Sequence, residues 1–278
     1  MKQIFDKLST SFSKKVTRKY STSFSLGITF LDKSIHRPIY AIYGLVRFAD
    51  EIVDSFHNYN KRDLLQKFKN ETYDAIENKI SLNPILNEFQ FAVNQYNIDL
   101  YLIETFFNSM EMDLEDKYHD ISSYEEYILG SAEVVGLMCL RVFVEGDQES
   151  FDKLKPYAMR LGAAFQKVNF LRDLKADFET LGRTYFPGVN LNQFSSFHKL
   201  KIEEEIEEDF KVALEGIKLL PNSAKKGVYL AYIYYLQLFH KIKKTPAERI
   251  MQARIRIPNF NKLGLMIASR LRLGLNLI

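Results

Sequence analysis

The stretch Ala41-Ile-Tyr-Gly-Leu-Val-Arg-Phe-Ala-Asp-Glu-Ile-Val-Asp54 decides the fold. Tyr43, Arg47, Asp50 and Asp54 follow one another at helical spacing. At about 100° per residue they lie within about 60° of one another. The other faces of the same segment carry Ile39, Ala41, Ile42, Leu45, Val46, Phe48, Ile52 and Val53. This is a helix surrounded by core on most sides, with one acidic stripe. A second stretch repeats the design. Gln166, Asn169, Asp173 and Asp177 share one helix face, while Leu161, Ala164, Phe165, Val168, Phe170 and Leu171 occupy the others. Carboxylates in such surroundings are costly unless a cation neutralises them.

Working outward, helical periodicity dominates the chain. Phe5, Leu8, Phe12 and Val16 form a stripe that predicts an amphipathic first helix with those residues inward. Further helices are expected over 34–56, 61–80, 84–96, 99–118, 122–145, 150–180, 200–219, 223–244 and 246–278, with Pro38 near the start of the first of these. The longest stretch read as non-helical is 181–198. No alternating strand series, fixed-period repeat or dividing linker is visible. Only 12 Gly and 7 Pro occur in 278 residues, which leaves few turns for a sandwich or barrel. The reading is one all-α domain over residues 1–278. A chain of this length buries a large core and still encloses a cavity.

Several function classes drop out. No Walker loop, Gly-x-Gly-x-x-Gly, Gly-x-Ser-x-Gly or His-Glu-x-x-His occurs, and the five histidines have no metal-ligand spacing. No nucleic-acid module is present, and no nucleic-acid partner is expected. Cys139 is the only cysteine; its apolar neighbours predict a buried structural thiol. No secretory signal and no apolar run of about 18 residues is found, so a cytoplasmic protein is expected.

The net charge of +3 conceals an asymmetry. Residues 1–20 carry +5 and residues 241–278 carry +8, around a middle of −10. Basic ends point to an anionic membrane surface or an anionic ligand, against the plainer reading of mixed surface charge. Peripheral contact with the inner face of a membrane through these termini is one expectation. The segment Lys262–Ile278 reads either as an interfacial helix or as core packing.

Asp-x-x-x-Asp occurs three times, so the spacing alone is weak. Asp116/Asp120 lies in a polar stretch and reads as an exposed face. The other two pairs, on two buried helices, suit hard divalent cations. Mg²⁺ takes carboxylate oxygens, with water and phosphate completing its shell. Di-iron bundles use Glu-x-x-His, which is absent here. The chemical reading is a Mg²⁺ cluster binding a phosphate or diphosphate in an aromatic-rich helical cavity. The alternative is capping or ion-paired aspartates, with Arg47 and Arg172 as partners.

These residues bring a resemblance. Tyr20-Ser-Thr-Ser-Phe24, the 41–54 stretch, Gly130-Ser-Ala-Glu-Val-Val-Gly136, Gln166–Asp177 and Gly182-Arg-Thr-Tyr-Phe-Pro187 run in the order of the squalene/phytoene synthase family. The chain is most similar to that family's bacterial phytoene synthases, up to about residue 190. The resemblance implies an all-α isoprenoid synthase bundle around a central cavity. It implies Mg²⁺, with Mn²⁺ as an alternative, held by Asp50, Asp54, Asn169, Asp173 and Asp177. Ser21, Ser23, Arg47, Gln166 and Arg172 would contact prenyl diphosphate oxygens. Phe24 and Tyr43 would line the reacting end, with Tyr234 and Arg254 contributing to the same pocket.

The implied reaction joins two geranylgeranyl diphosphates head to head, through a cyclopropyl diphosphate, to phytoene. It needs no NADPH. Farnesyl diphosphate condensation to dehydrosqualene or squalene is the alternative within the class, and a non-catalytic assembly protein of the same fold is the alternative outside it. One departure stands out. The cavity tyrosine expected before the Gly-x-Ala-x-x-x-Gly stretch is replaced by Leu129, and Tyr127, about 200° away on a regular helix, would not substitute for it.

Overall fold

The computed structural model describes residues 1–115, 120–176, 185–188, 194–250, 252 and 254–255. Among them there is no β-strand. The helices are α1 (Lys2–Tyr20), α2 (Thr22–Thr29), α3 (Lys33–Ser55), α4 (Lys61–Asn78), α5 (Pro84–Tyr96) and α6 (Leu100–Glu115). They continue with α7 (Ile121–Ile128), a π-helical turn (Leu129–Glu133), α8 (Val134–Phe143), α9 (Gln148–Ala176), α10 (Ser196–Leu219), α11 (Asn222–Lys243) and α12 (Ala247–Ile250).

Polar caps start the helices where the sequence places them. Asp32 Oδ1 accepts from the Ser34 N–H at 2.9 Å, Asn83 Oδ1 from Ile85 N–H at 3.0 Å, and Asp120 Oδ1 from Ser123 N–H at 2.8 Å. Each satisfies an amide that a helix start leaves unpaired. Pro38 sits in the second turn of α3 rather than the first, and is buried. The helix continues through it because packing on both sides of α3 outweighs one missing hydrogen bond. The 122–145 segment is not one regular helix, because a π turn separates α7 from α8.

The core is contiguous and dominated by Phe89, Phe106, Phe107, Phe210 and Phe239, all fully buried. Helix α3 packs against α1, α2, α4, α5, α6 and α8, and α9 packs against α8, α10 and α11. The two helices bearing acidic stripes thus each pack against several others. Helix α1 corrects the expectation for its stripe. Its buried residues are Ser9, Ser13, Val16 and Thr17, while Leu8 and Phe12 are exposed. Small hydroxyl side chains let α1 approach α3 closely at Gly44, where an added Cβ would meet Ser13 Oγ at 3.4 Å.

Candidate active site

A cavity of about 590 Å³ lies between α2, α3, α8, α9, α10 and α11. That is the size of a small-molecule site. Asp50 and Asp54 from α3 and Asp173 from α9 line one end. Ile39 lies about 22 Å along α3 from Asp54, and Leu154 about 28 Å along α9 from Asp173, by axial rise. Both also line the cavity, so it is a deep slot with acid at one end and apolar side chains beyond.

The acidic end is strongly polarised. A third (33%) of the Asp50 side chain is accessible. That surface faces the cavity, so the carboxyl is still withdrawn from bulk water. Burial first, then the charges of Asp54 and Asp113, raise its pKa to about 7, against the opposing pull of Arg47. Arg47 Nη1 stands 3.8 Å from Asp50 Oδ2, and its Nη2 pairs with Glu51. The Arg47 guanidinium lies over the Tyr20 ring at 4.4 Å. Its Nε is buried and meets no acceptor among the described residues. An orphan cationic donor in a cavity wall is a place for an anion.

At the facing stripe, Arg172 Nε lies 3.1 Å from both Asp173 oxygens. Arg254 adds contacts from Nε at 2.7 Å and Nη2 at 3.2 Å. The Asp173 charge holds the Arg172 guanidinium protonated despite its burial. Asn169 and Gln166 follow on the same face, and Tyr235 Oη donates to Asn169 Oδ1 at 3.3 Å. Ser21 lines the cavity where its hydroxyl caps α2 and accepts from Phe24 N–H at 3.1 Å. Ser23 is half-buried but off the cavity wall, as is Tyr234. Tyr235 takes the wall position instead, since α11 turns Val228, Ala231 and Tyr235 inward. Asp177 and Gly182–Thr184 lie outside the described residues.

An aromatic wall follows the acids. Phe24 sits 5.9 Å from Tyr43, 6.4 Å from Phe165 and 6.0 Å from Tyr235, ring centre to ring centre. Phe165 and Tyr235 stack at 4.0 Å. Burial pushes the Tyr43 hydroxyl up to about 12, so it stays protonated as a donor. Cys139 is half-buried and lines the cavity, and burial pushes its thiol up to about 12.

Tyr127 overturns the expectation at Leu129. It is buried, lines the cavity, and donates its hydroxyl to Asp113 Oδ2 at 2.9 Å. Its ring lies 5.3 Å from Tyr185, which in turn stacks on Phe170 at 4.0 Å. Tyr127 stands four residues before Ser131 and eight before Val135, which also line the cavity, so it lies on the cavity face of this segment, whereas Leu129, two residues on, lies off it. Asp113, Phe165, Tyr235 and Tyr127 were not expected in the site. Asp113 enters through the contact of α6 with Tyr127 of α7, and Phe165 and Tyr235 through the stacking of α9 on α11.

Carboxylates on two facing helices, with Asn169 beside them, are a hard-cation donor set. Among the described residues no three carboxylate, His or Cys groups form a closed cage. Mg²⁺ is commonly held by one or two carboxylates plus substrate phosphates, which such a pair of open stripes fits.

The squalene/phytoene synthase family model matches residues 17–261. A 4,4'-diapophytoene synthase of Staphylococcus haemolyticus is 26% identical over 201 residues, covering 70% of this chain and 66% of its own. A bifunctional lycopene cyclase/phytoene synthase of Blakeslea trispora is 27% identical over 205 residues, covering 66% of this chain and 33% of its own. The chain thus spans less than two thirds of the length of these curated relatives. A dehydrosqualene synthase crystal structure with bound ligand superposes with a TM-score of 0.83 at 20% identity, covering 98% of both chains, a likeness of fold. With acid stripes on two enclosed helices and a family match over most of its length, the chain belongs to the squalene/phytoene synthase family.

Proposed function

We propose that the protein condenses two prenyl diphosphates head to head, and that its substrate is geranylgeranyl diphosphate and its product phytoene. The whole chain, 1–278, acts as one domain in this reading. The observation that carries it is the convergence of Asp50 and Asp54 from α3 and Asp173 from α9 on one deep cavity with an aromatic wall.

Asp50, Asp54, Asn169 and Asp173, with Asp177, would hold Mg²⁺ or Mn²⁺. Bound there, the ion supplies charge stabilisation to the departing diphosphate. The chain's own groups do the rest. Arg47, Arg172 and Arg254 offer guanidinium donors to diphosphate oxygens, and Ser21 and Gln166 add neutral contacts. The allylic C–O bond breaks with its electron pair leaving on diphosphate. The double bond of the second chain attacks the resulting cation, and proton loss closes a cyclopropyl diphosphate. A second ionisation, rearrangement and proton loss give the triene. Phe24, Tyr43, Phe165 and Tyr235 present ring faces to the transient positive charge. The apolar depth of the slot keeps water from quenching it. No reductant enters this balance, so NADPH is not required.

Purified protein with Mg²⁺ and geranylgeranyl diphosphate should yield a hexane-extractable C40 triene by mass spectrometry. Asp50→Asn and Asp173→Asn should each lower its yield by at least about a hundredfold. Unchanged yield in both variants would remove Asp50 and Asp173 from the reaction, and no prenyl product from the wild type with either substrate would return the fold to a non-catalytic assembly role. The likeness to a diapophytoene synthase favours a second reading, in which farnesyl diphosphate is used. A C30 product from farnesyl diphosphate, with no C40 product, selects that reading.

A further inference from the structure

Helix α1 is built in reverse. It meets the body of the protein through polar side chains. Asn87 Nδ2 donates to Asp6 Oδ1 at 3.2 Å and to Ser9 Oγ at 3.4 Å, and Thr10 Oγ1 donates to Glu88 Oε2 at 2.9 Å. Three of its apolar residues point away from the core. Ile4 is 62% exposed, Leu8 64% and Phe12 45%, although Phe12 also touches Phe48 edge-on. At 100° per residue these three lie within about 80° of arc.

Cations surround that strip. Lys15 and Lys19 fall on the same arc, and Lys7, Lys14 and Arg18 lie along its polar flank. All five are exposed. Among the described residues none of the five forms an ion pair with a carboxylate. The helix's one acid, Asp6, is half-buried and already engaged by Lys2 at 3.0 Å. An uncovered apolar strip flanked by cations on one side is the layout of a helix lying in a bilayer interface. The C-terminal end of the same helix runs into the cavity rim, because Tyr20 and Ser21 line the cavity.

We infer that α1 is a membrane-docking helix that seats Ile4, Leu8 and Phe12 in the acyl boundary of an anionic lipid surface. Lys7, Lys14, Lys15, Arg18 and Lys19 reach the headgroup phosphates. An anionic bilayer matches both halves of this face: apolar depth for the strip, and negative charge for five unpaired cations. A protein groove would match the strip alone. Docking in this way brings the diphosphate end of the cavity beside the lipid phase, in which long prenyl chains partition.

The test needs no substrate, so it stands or falls separately from the condensation reading. Full-length protein is floated with vesicles of phosphatidylcholine alone or with 30 mol% phosphatidylglycerol (about a third anionic lipid). The expected result is binding at least about tenfold stronger to the anionic vesicles, weakened by 0.5 M salt (roughly a 4 Å screening length). The triple variant Ile4→Ser/Leu8→Ser/Phe12→Ser, checked for an unchanged melting temperature, should lose at least about tenfold of that binding. A dye on Leu8→Cys, in a Cys139→Ser background, should shift to the blue on anionic vesicles only.

Failure of the wild type to bind anionic vesicles overturns the inference. So does equal binding by the folded triple variant, which would place the contact on another segment. A bound protein whose Leu8→Cys dye stays water-exposed overturns it as well. A dimer by light scattering that the triple variant loses, without vesicle binding, would assign the face to a second copy.

Discussion

Asp50 and Glu133 show how differently two raised carboxyls serve the molecule. Asp50 is raised by burial and by its acidic neighbours in the cavity wall, where the proposed cation would restore its charge. Glu133 is raised to about 7 mainly by burial, with Asp209 adding to the shift and Arg160 and Lys167 opposing it. Its surroundings are a charge cluster in which Lys167 Nζ and Arg160 Nη1 each hold Asp209 at 2.9 Å. Because the folded pKa lies above the ordinary value of 4.5, the folded state binds the proton more tightly than the unfolded chain. The stability this contributes is present below the unfolded value and is lost as pH rises to about 7. Glu133→Gln should therefore raise the melting temperature at pH 8 and leave it nearly unchanged at pH 4, a contrast that melts at the two pH values (roughly either side of the shifted range) measure directly. Tyr127→Phe keeps the tilted ring contact with Tyr185 and removes the bond to Asp113. Denaturant unfolding should show a loss of about 1 kcal/mol.

At the scale of elements, the π turn and its glycine matter most. An added Cβ on Gly130 would stand 2.6 Å from the Thr105 carbonyl oxygen and 2.5 Å from Ser109 Cβ, both on α6. The carbonyl belongs to helical backbone and cannot give way, so α6 and the π turn must separate. Gly130→Ala should destabilise by about 1–3 kcal/mol in urea unfolding. It should also loosen the Tyr127–Asp113 contact, which joins α6 to α7, the helix leading into the π turn. The helices themselves were largely legible in the sequence: α3, α4, α5, α10 and α11 fall close to their expected spans. The π turn was not, because an apolar, Gly-containing run looks the same whether its turns close at i+4 or i+5. The facing of α1 was also misread. Leu8 and Phe12 fit an inward stripe by periodicity, yet Ser9, Ser13 and Thr17 are the residues that face α3.

For the whole molecule, the cavity decides which substrate fits. Ala158 lines the slot about 22 Å along α9 from Asp173. Ala158→Phe adds a ring to the deep wall, far from the acids. It should lower kcat/KM for geranylgeranyl diphosphate at least about tenfold more than for farnesyl diphosphate, since only the longer chain reaches that depth. Parallel turnover assays with the two substrates check this. Equal losses would place Ala158 outside the path of the chain.

What the sequence by itself determined is the class of molecule. Scarce Gly and Pro, helical periods and acid stripes on apolar helices report local energetics, which neighbours along the chain set. They placed Asp50, Arg47, Asn169 and Asp173 on the right faces before any packing was known. Only the tertiary structure decided which stripes face each other, that Tyr235 rather than Tyr234 meets Asn169, that Tyr127 turns inward, and that Ile4, Leu8 and Phe12 of α1 are left uncovered by the described residues. Each of these depends on how one helix is rotated against another. A rotation of a fraction of a turn costs nothing in the local pattern, and is settled by long-range packing, by small residues at close approaches, and by buried charges seeking partners.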